Sequence, residues 1–387
     1  NLVKNMGLKV PCFVNMYHFF YFWYILNNMG HGAPHPELTN LPLPKEKFET
    51  IAILKQASIS AGLLGEMKGI AQTLPNQAML VNAIVLQEAK DSSEIENIIT
   101  TQDELYQAMT SEKKNLPAST KEVINYREAI FKGFNIIQKN GILKLKDLLH
   151  LQEMIVENDA GIRSIPGTVL RNYKTGEVVY TPPQDKKEIQ DLLANFLDHF
   201  NRTDTDTSPL VNLAILHHQF ESIHPFYDGN GRTGRILNIL YLIMNQQLDL
   251  PILYLSSFII DHKEDYHRLL NKTNAHTTWE DWIIFMLKAV EETARNTIQK
   301  ISNIGDLLEE TIHFTRENAP KIYRKELIEL LFEQPYSKID FVTQRIGLER
   351  KAAARHLKKM KAIGVLESIK VGRETIYINR KLLEVLK

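Results

Sequence analysis

His224-Pro225-Phe226-Tyr227-Asp228-Gly229-Asn230-Gly231-Arg232-Thr233-Gly234-Arg235 is the stretch from which the rest of this 387-residue chain is best read. It lies between two apolar segments of helical periodicity, Pro209 to Ser222 and Thr233 to Asn245. Gly229, Asn230 and Gly231 permit a tight turn with unusual dihedrals, and such a turn feeding a helix aims backbone N–H groups at an anion. Arg232 and Arg235 follow three apart in what the pattern makes the first helical turn, where the macrodipole disfavours each cation by roughly 0.3–1 kcal/mol. An anion held with them would account for both. Asp228 offers a hard oxygen ligand for the Mg2+ that accompanies a polyphosphate. His224 has the side chain whose ordinary pKa, about 6.5, suits proton abstraction near neutrality. Phe226 reads as the anchor of the loop in the core. The plainer alternative is a solvated Asp-Gly-Asn-Gly turn; the glycines alone leave it open, and the full set of polar and glycine positions argues against it.

These residues resemble the motif of the Fic (Fic/DOC) family, HPFx[D/E]GNGRxxR, at every specified position. The resemblance implies a mainly α fold, a helical core carrying a β-hairpin flap, and protein adenylyltransferase activity with ATP and Mg2+. It implies that His224 is the general base that takes the proton from a target hydroxyl and that Asp228 binds Mg2+. Gly229, Asn230, Gly231 and Gly234 would serve the nucleotide, with Arg232 and Arg235 on its β- and γ-phosphates. The hydroxyl would attack the α-phosphorus and release pyrophosphate, a reaction run mainly by positioning and charge stabilisation.

Upstream, Ser92-Ser93-Glu94-Ile95-Glu96-Asn97 resembles the family's inhibitory-helix motif, [S/T]xxxE[G/N], through Ser92, Glu96 and Asn97. The resemblance implies that Glu96 pairs with Arg235 and blocks the γ-phosphate position, and a bidentate carboxylate is a natural occupant when no phosphate is there. Ser93-x-x-Glu96 also spells a capping box, which would put Glu96 in the first turn of a helix; the residues alone leave both readings open. Some family members use this glutamate in removing AMP, so the net direction of reaction is not fixed.

Thr168 to Thr181 reads as a lone hairpin around Lys174-Thr175-Gly176-Glu177. It resembles the family's flap, with Val178, Val179 and Tyr180 able to align an extended target segment by strand addition. Tyr254, Tyr266 and Asn271 fall where relatives contact adenine or ribose, without a motif to fix them. Trp279 and Trp282 read as core. His217 and His218, adjacent and so on different faces, read as packing or polar-face residues, and no zinc-like spacing occurs.

Further helices are predicted at Thr120 to Lys139, Lys144 to Glu157, Lys186 to Asn201, Lys263 to Asn271 and Thr278 to Ser302, and several from Lys47 to about Lys90, interrupted at Gly62, Gly65, Gly69 and Pro75. After Ala319-Pro320 come a helix near Tyr323 to Glu333, a second over Ser337 to Ile346, a break at Gly347, a basic helix from Arg350 to Ile363 and two short strands about Val371-Gly372-Arg373. That is the layout of a winged helix-turn-helix. The expected domains are a helical region with the inhibitory helix at 41–120, the Fic core at 121–305 and the winged helix at 320–387.

Lys plus Arg and Asp plus Glu both number 46, which excludes a global bias toward nucleic acid or membrane. From Lys321 to Lys387, however, 16 Lys/Arg stand against 8 Asp/Glu. Arg350, Lys351, Arg355, Lys358, Lys359, Lys361 and Arg373 would suit DNA phosphates, with a solvated face or a protein-binding module as the alternatives. A transcriptional regulator whose Fic core senses nucleotide is therefore the competing function. The single Cys12 excludes disulfide frameworks within the chain and fits a reducing, cytoplasmic setting. Residues 1–28 hold an aromatic, apolar run, Val10 to Leu26, interrupted by Asn15 and His18, which reads as a non-native extension or else as an anchor. The expected partners are a protein carrying a Ser, Thr or Tyr hydroxyl, the chain itself as a target, a second copy in a homodimer, and DNA.

Overall fold

A computed structural model of the protein describes residues 38–110, 116–171, 175–276, 278–371 and 374–386. Cys12, the Val10 to Leu26 run, Lys174 and Arg373 lie outside them. Helix α1 (Ile51–Ala71) starts on Thr50, whose hydroxyl accepts the Ile53 N–H at 3.3 Å. Gly62, Gly65 and Gly69, expected as interruptions, lie inside α1 facing open space; glycine weakens a helix without breaking it, and the break comes at 72–77, around Pro75. The buried stripe Ile53, Ala57, Ser60, Leu64 and Met67 packs along α11 (Trp279–Asn318), a helix that runs well past the predicted end at Ser302.

Helix α2 (Ala78–Ile95) carries the segment that ends in Glu96, and α3 (Gln102–Thr110), unpredicted, follows it. Then come α4 (Ala118–Asn140), α5 (Leu145–Val156), the hairpin β1 (Leu170–Arg171) and β2 (Val178–Tyr180), and α6 (Lys186–Phe200). At the centre stand α7 (Pro209–Ile223) and α8 (Asn230–Met244), joined by the 224–229 loop. All of α7 beyond Pro209 is buried, which explains a sequence apolar on most faces. Phe196, Phe200, Phe220 and Phe226 gather around this pair with ring centroids 5.5–6.2 Å apart. Two shorter helices, α9 (Leu255–Asp261), also unpredicted, and α10 (Lys263–His276), complete the core with α11. Trp279 and Trp282 are buried in it, as expected.

The C-terminal part follows in the expected order: α12 (Lys325–Glu333), β3 (Tyr336–Ser337), α13 (Ile339–Ile346), α14 (Arg350–Ala362), β4 (Glu367–Val371), β5 (Glu374–Ile378), and a closing α15 (Arg380–Val385). The three strands form an antiparallel sheet in the order β3-β5-β4, with Tyr336 opposite Ile378 and Ile369 opposite Ile376. It is held to the core by polar and aromatic contacts. The Tyr336 ring stacks on Tyr106 of α3 at 5.0 Å, and its hydroxyl bonds to Asp103. Glu333 accepts from Asn76, just before α2, at 3.0 Å. Among the described residues no helix is long and apolar enough to cross a membrane.

Candidate active site

Helix α7 ends on His224, which adopts the left-handed conformation (φ 46°, ψ 59°) and donates its N–H to Phe220 O at 3.0 Å. That sharp exit turns the chain into the loop, and Phe226 drops into the core as expected. Asn230 staples the loop: its Oδ1 accepts the Phe226 N–H at 2.9 Å and its Nδ2 donates to Phe226 O at 2.8 Å. Its side chain is thus committed to the loop's own backbone, and only its main chain remains for a ligand. Gly229 (φ 80°) makes the turn into α8, which starts three residues earlier than predicted and has no side-chain cap. An uncapped helix start of this kind is where an anion binds best. Arg232 therefore lies in the first turn and Arg235 in the second.

Both arginines are buried and paired. Arg232 donates to Glu122 of α4 at 2.8 Å and to Asp228 at 3.2 Å. Arg235 donates Nε to Ser92 Oγ at 2.7 Å, and Nη2 to Ser92 O at 2.9 Å and to Glu96 Oε1 at 2.8 Å. The carboxylate engages Arg235 through one oxygen, so the expected bidentate pair is corrected: Ser92 takes the other positions of the fork. The capping-box alternative is also overturned, because Ser93 is inside α2 and Glu96 closes that helix at its C-terminal end. Asn97 follows in the left-handed region (φ 62°), and Lys263 of α10 donates to Ile95 O at 2.6 Å, satisfying a terminal carbonyl of α2. A Cβ on Gly231 would collide with Glu96 Oε1, so the absence of a side chain there is what lets the carboxylate approach Arg235.

Gly234 has a different task from the one expected. A Cβ there would meet Glu221 Oε1 at 2.5 Å and Phe220 Cδ1 at 3.1 Å, so it is the close-packing point of α8 on α7 and does not face the loop. Glu221 is itself buried, and its Oε1 has no hydrogen-bond partner among the described residues. Burial pushes its carboxyl up to about 7.

Burial, aided by the charge of Arg163, pushes His224 down to about 4, so its imidazole is neutral at neutral pH and free to accept a proton. Glu96 responds in the opposite sense to its surroundings: burial would raise it, but the charge and hydrogen bond of Arg235 hold it below the ordinary carboxylate range. Its side chain nonetheless keeps 41% of its exposure, so it can leave the pair without unfolding anything.

Asp228 is 70% exposed at the edge of the nest, with Oδ1 accepting the Gly229 N–H at 2.6 Å. Among the described residues no three His, Cys, Asp or Glu side chains gather as a metal cage. Mg2+ commonly takes one or two carboxylates and completes its shell with water and phosphate oxygens, so a single exposed carboxylate beside an anion nest fits it.

In the flap, Val178 and Val179 are 42% and 40% exposed, whereas Tyr180 is 5% exposed and donates its hydroxyl to Ser222 O at 3.0 Å. Tyr180 thus anchors the hairpin rather than presenting it. Tyr266, expected near the nucleotide base, is buried and bonded through its hydroxyl to His217 Nε2 at 2.9 Å, and Tyr254 is buried under Lys300 at 5.2 Å. His217 and His218 are both buried packing residues, pushed by burial down to about 3. The sequence reading missed Arg163, buried beside the 224–229 loop, and Glu122, the partner of Arg232; neither belongs to a local pattern.

Comparison with known proteins bears on family and fold. Residues 54–135 match the Fic/DOC family N-terminal description, 142–242 the Fic/DOC family description, and 307–382 the C-terminal domain of SoFic-like protein adenylyltransferases. A protein adenylyltransferase Fic of Nematostella vectensis is 23% identical over 176 residues, covering 44% of this chain and 38% of the relative. A Fido domain-containing protein of Dictyostelium discoideum is 43% identical over 65 residues, 17% of this chain and 44% of its own. This chain therefore spans less than half the length of these curated relatives. Among solved structures, a Fic family protein from Desulfovibrio desulfuricans superposes with a TM-score of 0.55 at 21% identity, over 85% of this chain and 96% of its own. A Fic domain-containing signaling protein from Bacteroides thetaiotaomicron gives 0.50 at 19%, over 65% and 97%. These two likenesses concern the fold.

Proposed function

We propose, from the premise that this chain belongs to the Fic/DOC family, that it is a protein adenylyltransferase held in check by its own Glu96. The observation that carries the reading is the convergence of a neutral, half-buried His224 with an uncapped helix start flanked by two buried arginines. The base accepts the proton of a Ser, Thr or Tyr hydroxyl as its oxygen attacks the α-phosphorus of ATP. The bond to the β-phosphate oxygen breaks, pyrophosphate leaves, and AMP stays on the target. Main-chain N–H groups at the start of α8 and the guanidinium of Arg232 hold the departing phosphates. Mg2+, where bound at Asp228 with the phosphates, supplies charge neutralisation on the leaving group. Val178 and Val179 at the flap's exposed edge suit an extended target strand.

Glu96 occupies Arg235, the guanidinium placed to receive a γ-phosphate. Its removal leaves a buried cation without a carboxylate, which strengthens the pull on the nucleotide. Where AMP already sits on a target, we propose that the same carboxylate assists its removal. Transfer from labelled ATP checks the assignment: Glu96→Gly raises labelling of lysate proteins or of the chain itself by about tenfold or more, and adding His224→Ala abolishes it. Binding of ATP without labelling in any form would instead favour a nucleotide-sensing regulator, a reading that the exposed cations of α14 support. We propose a cytoplasmic setting, for which the single cysteine, Cys12, is the support.

A further inference from the structure

We propose that Arg163 is a positioning residue that fixes the distance between the target-holding flap and His224. Its side chain is 0% exposed. The guanidinium donates to His224 O at 2.7 Å and to Ile223 O at 3.3 Å, the carbonyls that end α7, and to Pro183 O, three residues beyond β2. Its own backbone N–H donates to Pro225 O at 2.9 Å, and the preceding Ile162 bridges to Phe226. One side chain thus spans the exit of the flap and both sides of the left-handed turn at His224.

The planar fork explains why the residue is arginine: it meets three carbonyls that diverge in direction, as a single-point donor such as lysine does not. A cation at the C-terminal end of α7 also complements the helix dipole. What is unusual is the charge. Among the described residues no carboxylate pairs with Arg163, and burying an uncompensated guanidinium is costly when neutral donors can satisfy carbonyls. The charge lies beside His224, where it adds to burial, the larger cause, in lowering the imidazole's pKa.

This inference rests on the transferase reading, so its test has an arm that does not. Arg163→Met and the milder Arg163→Lys are compared with the parent protein, each also carrying Glu96→Gly for turnover. We expect kcat to fall on the order of 100-fold in the methionine variant, with partial recovery in the lysine variant and nucleotide Kd within about twofold, because misplacing reactive groups by an ångström has that effect while the phosphate nest is untouched. Amide hydrogen exchange, read without any activity, should quicken together in Val178–Tyr180 and in His224–Tyr227 but not in α11. Unchanged kcat, a fall in kcat matched by loss of nucleotide binding, or exchange quickening in only one of the two segments overturns the proposal. Absence of transfer even in the Glu96→Gly protein removes the transferase reading, while the exchange result still decides whether Arg163 ties flap to loop.

Discussion

A histidine that must accept a proton is of most use when it carries none, and His224 meets that condition through burial and a neighbouring guanidinium. The sign is direct: with its pKa depressed to about 4, the basic form persists well into acid. We therefore expect kcat/KM of the Glu96→Gly protein to stay flat from about pH 5.5 to 7.5, where an ordinary histidine would halve the rate near 6.5. A limb at 6.5 would show that the imidazole is solvated in the working enzyme. At this scale the sequence was legible where chemistry is local. His224, Asp228 and both arginines stand in one contiguous motif, and each is placed at the loop. Gly234 was misread because its neighbour Glu221 lies on the opposing helix, and the need for a missing Cβ there is a fact of helix packing rather than of the motif. Arg163 left no local trace, since its partners are backbone carbonyls at 183, 223 and 224.

Helix α2 is the element on which the proposed control rests. It delivers two groups to one guanidinium from positions a turn apart: Ser92 through hydroxyl and carbonyl, Glu96 through its carboxylate. A second buried carboxylate, Glu88, ties the same helix to its surroundings by accepting from Tyr126 of α4 at 3.0 Å and from Ser256 of α9 at 2.6 Å. The helix is thus pinned while Glu96 at its end remains half free. Ser92→Ala should loosen Arg235 without deleting the carboxylate, removing a charge-assisted hydrogen bond of about 1.5–3 kcal/mol. The expected outcome is basal labelling between that of the parent and of Glu96→Gly, measured at a limiting ATP concentration. Labelling no higher than the parent's would mean that Glu96 alone sets the block. Of the elements with strong periodicity, most were found from sequence to within a few residues, α11 being missed at its far end, while short α3 and α9 offered too few turns to register. In the flap, β2 does not alternate: Val178 and Val179 are both exposed and only Tyr180 turns inward, which three residues of sequence do not reveal.

Across the whole molecule, charge is segregated although the total cancels. Lys351, Arg355, Lys358, Lys359 and Lys361 are exposed along α14, whereas Arg350 is drawn into a pair with Asp340 and Arg345 into one with Glu333. Duplex DNA is the polyanion proposed for this face from the sequence. Binding to a duplex should weaken steeply with salt, and Lys358→Ala should reduce the slope of log K against log salt by about 1, regardless of sequence. No measurable binding at low salt would reassign the face to protein or to solvent.

The 40-residue α11 has a wider consequence. At about 1.5 Å per residue it runs some 60 Å without interruption, from the Trp279–Trp282 core to the threshold of the C-terminal sheet. The boundary expected at 305 falls in mid-helix, among buried Ile304, Leu307, Leu308 and Ile312. The two halves are therefore not beads on a string that recombination can trade freely: one continuous helix sets their spacing, and any cut or insertion between them has to keep the helical phase of α11.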